Sequence, residues 1–155
     1  MLGTKLGSGV HGDVYALSDS QAVKKVNIID EPTKLGWIIE SSLLRNFCGI
    51  IPVPVFGGAS IDRKGKFNLV MRRYTCLKDF DSNTISPELR GAITRDVALA
   101  LETLHHCGII HRDIKKSNIL LDIKNGKFIS ARLSDFSLAI AASYQKLMCN
   151  IVKIE

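Results

Sequence analysis

An α+β fold is predicted by three features of the 155-residue sequence. Short β-prone segments crowd the first third, and a long helix with signals at both ends occupies 87–106. Strands and helices do not alternate regularly, as a βαβ chain would require.

The first stretch reads as strands. Val14, Ala16 and the run Ala22-Val23-Lys24-Lys25-Val26 are β-prone and are separated by Gly-rich or Ser-Asp-Ser turns. A helix follows from about Thr33 to Phe47, with Ile39, Leu43, Leu44 and Phe47 near helical spacing and Gly49 as its stop. Gly36 weakens the first turn of that helix. Two prolines make Ile50 to Phe56 extended, and Phe67-Asn68-Leu69-Val70-Met71 is a strand after the turn Asp62-Arg63-Lys64-Gly65.

The clearest helix runs from Pro87 to His106. Ser86 is a good N-cap, Pro87 suits the first helical position, and Gly108 stands where a helix ends. Leu89, Ile93, Val97, Leu101 and Leu104 make one apolar face. Beyond it come Ile119-Leu120-Leu121 and Ile129 to Leu133, joined through the turn residues Lys124-Asn125-Gly126.

Composition narrows the function. Hydrophobic residues at 46% and charged residues at 23% fit a globular chain and argue against disorder. No apolar run approaches the roughly 18 residues of a membrane span. Met1 to Lys5 lead straight into a motif, so no signal peptide and a cytoplasmic or nuclear location are expected. Cys48, Cys76, Cys107 and Cys149 lie far apart, without metal-site or disulfide-framework spacing, and read as buried or half-buried thiols. The net charge of +6 comes from scattered Lys and Arg, which argues against a nucleic-acid partner and suits a polyphosphate.

Four segments carry chemistry. Leu6-Gly7-Ser8-Gly9-Val10-His11-Gly12-Asp13-Val14 holds Gly-x-Gly-x-x-Gly-x-Val, a loop whose backbone can pass close to phosphates. A dinucleotide site needs a helix directly after such a loop, whereas Val14-Tyr15-Ala16-Leu17 continues as strand. Ala22-Val23-Lys24 follows on the next strand, and Glu40 in the next helix is the candidate partner of Lys24. His111-Arg112-Asp113-Ile114-Lys115-Lys116-Ser117-Asn118 puts a carboxylate, a cation and an amide oxygen into one short loop. Ser134-Asp135-Phe136-Ser137 then supplies a further carboxylate.

In this order, over almost the whole chain, these segments resemble the eukaryotic-type serine/threonine protein kinase family. Lys115 favours the serine/threonine branch. The resemblance implies a small antiparallel β N-lobe with one helix and a hinge over 1–74. Over 75–155 it implies an incomplete helical C-lobe, ending at the start of the activation segment. Ala-Pro-Glu and the later helices are absent.

The implied reaction is transfer of the ATP γ-phosphoryl group to Ser or Thr hydroxyls of a protein substrate, with Mg2+ as metal. Asp113 would orient the hydroxyl and Lys115 offset developing charge. Lys24, held by Glu40, would pair with phosphates, and Asn118 and Asp135 would bind the metal. Leu6, Gly7, Ser8, Gly9 and Gly12 would cover the ATP, with Val14 and Ala22 above the adenine and Leu120 below it. Leu44, His111 and Phe136 would stack as an internal spine, with Met71 as gatekeeper and Arg72-Arg73-Tyr74 as hinge. Ser137 departs from the glycine of the family pattern. Ser143 and Tyr144 are candidate phosphorylation positions.

The missing C-terminal part leaves an alternative open: a truncated kinase-like module that binds ATP or a partner protein without catalysis. A partner covering the absent part of the C-lobe is expected to meet the apolar face of the 87–106 helix.

Overall fold

The computed structural model describes residues 3–9, 12–27, 30–81 and 83–141. Val10, His11, Ser143, Tyr144, Cys149 and the closing stretch 151–155 lie outside the described residues.

Five antiparallel strands form the first layer: β1 (Lys5–Gly9), β2 (Gly12–Ala16), β3 (Gln21–Val26), β4 (Phe56–Ile61) and β5 (Phe67–Arg72). They lie in the order β1-β2-β3-β5-β4. Helix α1 (Glu31–Phe47) crosses over between β3 and β4. It starts two residues before the expected Thr33, because Asp30 caps the Thr33 N–H at 2.8 Å. Pro32 fits in that first turn, where a missing N–H costs nothing. Trp37 of α1 meets Phe67 of β5 edge to face at 4.6 Å, which seats the helix on the sheet.

Strand β4 departs from the sequence reading, which has extended chain only to Phe56. Phe56-Gly57-Gly58-Ala59-Ser60-Ile61 has weak strand propensity, and its conformation comes from pairing with β5 across an irregularity at Phe56/Gly58.

The second half begins with β6 (Thr75–Cys76) and a 3-10 turn, Leu77–Asp79. Helix α2 spans Pro87–His106, capped by the Ser86 hydroxyl on the Leu89 N–H and followed by Gly108 at φ 71°. Then come β7 (Ile109–Ile110), a 3-10 turn at Lys116–Asn118, β8 (Ile119–Lys124), β9 (Lys127–Leu133) and β10 (Ile140–Ala141). Strands β6, β8 and β9 form one small sheet, and β7 pairs with β10. Asn125 and Gly126, at φ 51° and 72°, make the β8–β9 turn.

One apolar cluster joins the two halves. It contains Ala22, Leu43, Leu44, Phe47, Leu69 and Met71 from the first, and Ala100, Leu104, Ile109, Leu133 and Phe136 from the second. A smaller cluster of Leu77, Ile85, Ile93, Leu121 and Ala131 lies beneath α2. The apolar face expected on α2 is covered only in part. Ile93, Val97 and Leu104 are buried, while Leu89 and Leu101 are half-buried. Ile93, Val97 and Leu101, with Leu77, Ile85 and Ile119, border an open groove of about 430 Å3. The same helix buries Asp96, whose carboxylate accepts the Ala131 N–H at 2.8 Å and so ties α2 to β9.

Candidate active site

The described part of the Gly-rich segment is two paired antiparallel strands, with Gly9 opposite Gly12. This is the arrangement expected of a flap and not of a dinucleotide-binding turn. Gly12 is required twice over: its φ of 136° disfavours other residues, and a Cβ would collide with the Lys25 carbonyl. Ser8 donates to Asp13 at 2.6 Å, and Lys5 pairs with the same carboxylate at 2.8 Å. Leu6 and Val14 pack against the core cluster that holds Ala22 and Met71. Leu120 lies half-buried on β8, opposite Cys76 and Arg132. Its place beneath a nucleotide rests on the family resemblance.

Lys24, on β3, is buried, and its Nζ lies 2.7 Å from both Glu40 of α1 and Asp135. Three segments far apart in sequence thus meet on one ammonium. Burial disfavours the charge on Lys24, but the two carboxylates outweigh it and hold the ammonium above its usual pKa. The triad has one cation and two carboxylates. Burial therefore pushes Glu40 up, and Asp135 partly offsets the pull of Lys24 toward ionisation.

The second group lies in the loop after β7. Asp113 contacts Lys115 Nζ at 2.7 Å, and the Asn118 amide donates to both its backbone and side-chain oxygens at 2.8 Å. The bond from Lys115 holds Asp113 below the usual carboxylate range, burial opposes it, and Asn118 adds to it. Asp135 pushes Asp113 the other way through its charge, so the two groups sense each other. The Asn118 nitrogen is committed to Asp113, which leaves the amide oxygen as the atom suited to a cation.

His111 fixes this loop. Its Nε2 donates to the Ser134 carbonyl at 3.0 Å, and its Nδ1 accepts the Asp113 N–H at 3.2 Å. Burial lowers its pKa and keeps the ring neutral, as those bonds require. The ring meets Phe136 edge to face at 4.9 Å, and Phe136 belongs to the same core cluster as Leu44. Arg112 and Asp135 both hold left-handed backbone, at φ 67° and 63°. Arg112 is anchored there by its Nε, which donates to the Leu138 carbonyl at 2.6 Å. Strained non-glycine residues of this kind cluster at functional sites.

Of the adjacent Arg72 and Arg73, which nothing in the sequence accounts for, Arg72 has a structural role. Its Nη2 donates at 2.9 Å to Asp122, a buried carboxylate on β8. The guanidiniums of Arg72 and Arg132 both approach the Tyr74 ring, at 5.6 and 5.4 Å from its centre. Asp122, Arg132 and Asp96 escaped the sequence reading, although an Asp inside Ile-Leu-Leu-Asp-Ile is a signal of a buried partner. Arg72→Ala is expected to cost about 1.5–3 kcal/mol, the value of a hydrogen bond to a charged group. Urea denaturation will measure it, and a wild-type midpoint would remove the clamp between β5 and β8.

Among the described residues no three His, Cys, Asp or Glu side chains cluster as a metal site, and no helix is long and apolar enough to cross a membrane.

The sequence pattern described as protein kinase domain matches residues 1–153. The chain is 31% identical over 146 residues to serine/threonine-protein kinase shk1/pak1 of Schizosaccharomyces pombe, covering 85% of this chain and 20% of that protein. It is 30% identical over 145 residues to serine/threonine-protein kinase STE20 of Candida glabrata, covering 85% of this chain and 15% of that protein. It therefore spans about a fifth or less of the length of these two relatives. With this match over nearly its whole length, the chain belongs to the eukaryotic-type protein kinase family, among relatives named as serine/threonine kinases.

Proposed function

We propose that the chain carries the ATP cradle and catalytic loop of a serine/threonine kinase that moves the γ-phosphoryl group of ATP to a protein hydroxyl. The observation that supports this best is the meeting of Lys24, Glu40 and Asp135 at 2.7 Å, beside the loop of Asp113, Lys115 and Asn118. In this reading residues 1–74 form the N-lobe with the hinge, and 75–155 the front part of the C-lobe. Gly7, Ser8, Gly9 and Gly12 cover the phosphates. Leu6, Val14, Ala22, Met71 and Leu120 enclose the adenine.

Asp113 is held ionised by Lys115, so it can accept a hydrogen bond from an incoming hydroxyl and orient it. Lys24 is kept charged and can pair with phosphate oxygens while Glu40 holds it in place. The hard oxygens of Asp135 and Asn118 fit Mg2+, which takes one or two protein ligands and completes its shell with phosphates and water. Held by Asp135 and Asn118, Mg2+ would supply neutralisation of phosphate charge.

Transfer of label from γ-labelled ATP to a general protein substrate tests the reading. Asp113→Asn should lower the rate about 10²–10⁴-fold while ATP still binds. Unchanged turnover would remove the role of Asp113. A second reading, a nucleotide- or partner-binding module without transfer, is favoured by the open apolar groove on α2. ATP binding with no transfer by the unmodified chain would support it.

A further inference from the structure

The family pattern has a glycine where this chain has Ser137, and a glycine has no hydroxyl. The Ser137 hydroxyl donates to Asp135 Oδ1 at 2.7 Å, and Lys24 Nζ reaches the same oxygen at 2.7 Å. Lys24 sits at the end of a long stem and leaves a carboxylate rotational freedom. A second donor on the same oxygen, from a residue only two places along the chain, restricts that rotation.

Ser137 is itself held by its backbone. A Cβ added to Gly36 of α1 would lie 2.5 Å from the Ser137 carbonyl oxygen, closer than real Cβ contacts come. The helix and the Ser137 peptide are thus in direct contact, and only glycine permits it. Gly36 and Glu40 are four residues apart and share one face of α1. The helix reaches Asp135 by two routes: Glu40 through Lys24, and Gly36 through Ser137.

We propose that Ser137 is a positioning residue for the Asp135 carboxylate, and that the Gly36–Ser137 contact makes its aim depend on the seat of α1. The inference rests on the reading of Asp135 as a ligand of the divalent cation. The glycine in the second turn of α1, unfavourable for the helix by itself, then has a reason: it lets the helix close onto Ser137.

Water-proton relaxation enhancement, with Mn2+ as the probe and ATP present, reads the cation on the protein directly. Binding of ATP in EDTA and an unliganded melt are run on every variant. Ser137→Ala and Ser137→Gly should each weaken Mn2+ about 10–100-fold, as loss of a group that orients a ligand does. ATP binding in EDTA should stay unchanged, and Ser137→Thr, which keeps the hydroxyl, should restore Mn2+ binding. A merely structural role would move the melt and both affinities together. Ser137→Gly, which carries the residue of the family pattern, keeps the test open should Ser137→Ala fail to fold.

Gly36→Ala should weaken Mn2+ in the same way, although alanine is the better helix former. Unchanged Mn2+ affinity in Gly36→Ala overturns the dependence on α1. Full Mn2+ affinity in Ser137→Ala or Ser137→Gly, with loss in Asp135→Ala, overturns the positioning role and leaves the ligand role standing. Full affinity in Asp135→Ala removes the ligand role itself.

Discussion

Lys24→Met is expected to lower the unfolding free energy by about 3–5 kcal/mol, the cost of stripping a buried charge of its partner. Domains of this kind hold only about 5–15 kcal/mol in total. Glu40 is almost fully buried, and Asp135 is about a quarter exposed, so Glu40 carries most of the loss. The effect has a sign in pH. Without Lys24 the folded-state pKa of Glu40, already raised by burial, rises further above its unfolded value near 4.5. A raised carboxyl contributes stability that is fully present below the unfolded value and is lost as pH rises through the folded one. The deficit should therefore be largest at neutral pH and shrink toward pH 4.5. Urea midpoints of both chains across that range measure it, and parallel curves would show that Glu40 is not the uncompensated charge.

Phe136→Ala should cost about 3–5 kcal/mol, as removal of a fully buried aromatic side chain does. Phe136 is completely enclosed, stacks on His111, and belongs to the cluster that joins both halves of the chain. A shared core predicts that the halves unfold together. Fluorescence of Trp37 in the first half and far-ultraviolet dichroism, which α2 contributes to strongly, should report one midpoint, shifted equally by the substitution. A transition that moves in one probe and stays in the other would mean that the halves are stabilised separately.

Local chemistry decided how much of this was legible in the sequence. Helix α2 has the expected bounds because its cap, its proline and its closing glycine all lie within a few residues of its ends. Helix α1 starts two residues before the expected Thr33, since the apolar spacing that marks it begins only further along while its cap, Asp30, and Pro32 lie ahead of it. Strand β4 was missed because two glycines remove local preference and only its partner β5 defines it.

The residues of the candidate site stand out in sequence because their order and spacing are rigid. Asp122, Arg132 and Asp96 do not, since each acts through partners tens of residues away. Asp122 bonds a guanidinium 50 positions back, and Asp96 a backbone N–H 35 positions ahead. The same distance hides the use of Gly36, which looks like a poor helix residue until Ser137 is seen beneath it.

The contact between Lys24 and Asp135 spans 111 positions, whereas Lys24 and Glu40 are only 16 apart. A ribosome adding about 5–20 residues each second releases the second carboxylate roughly 5–20 s after Lys24. In that interval Glu40 is the one carboxylate of the triad available to Lys24, and the two together carry no net charge to sequester from water. The sheet and α1 can thus mature during synthesis around a neutral pair. The surplus negative charge, and with it any affinity for a cation, arrives only with the last described segment of the chain.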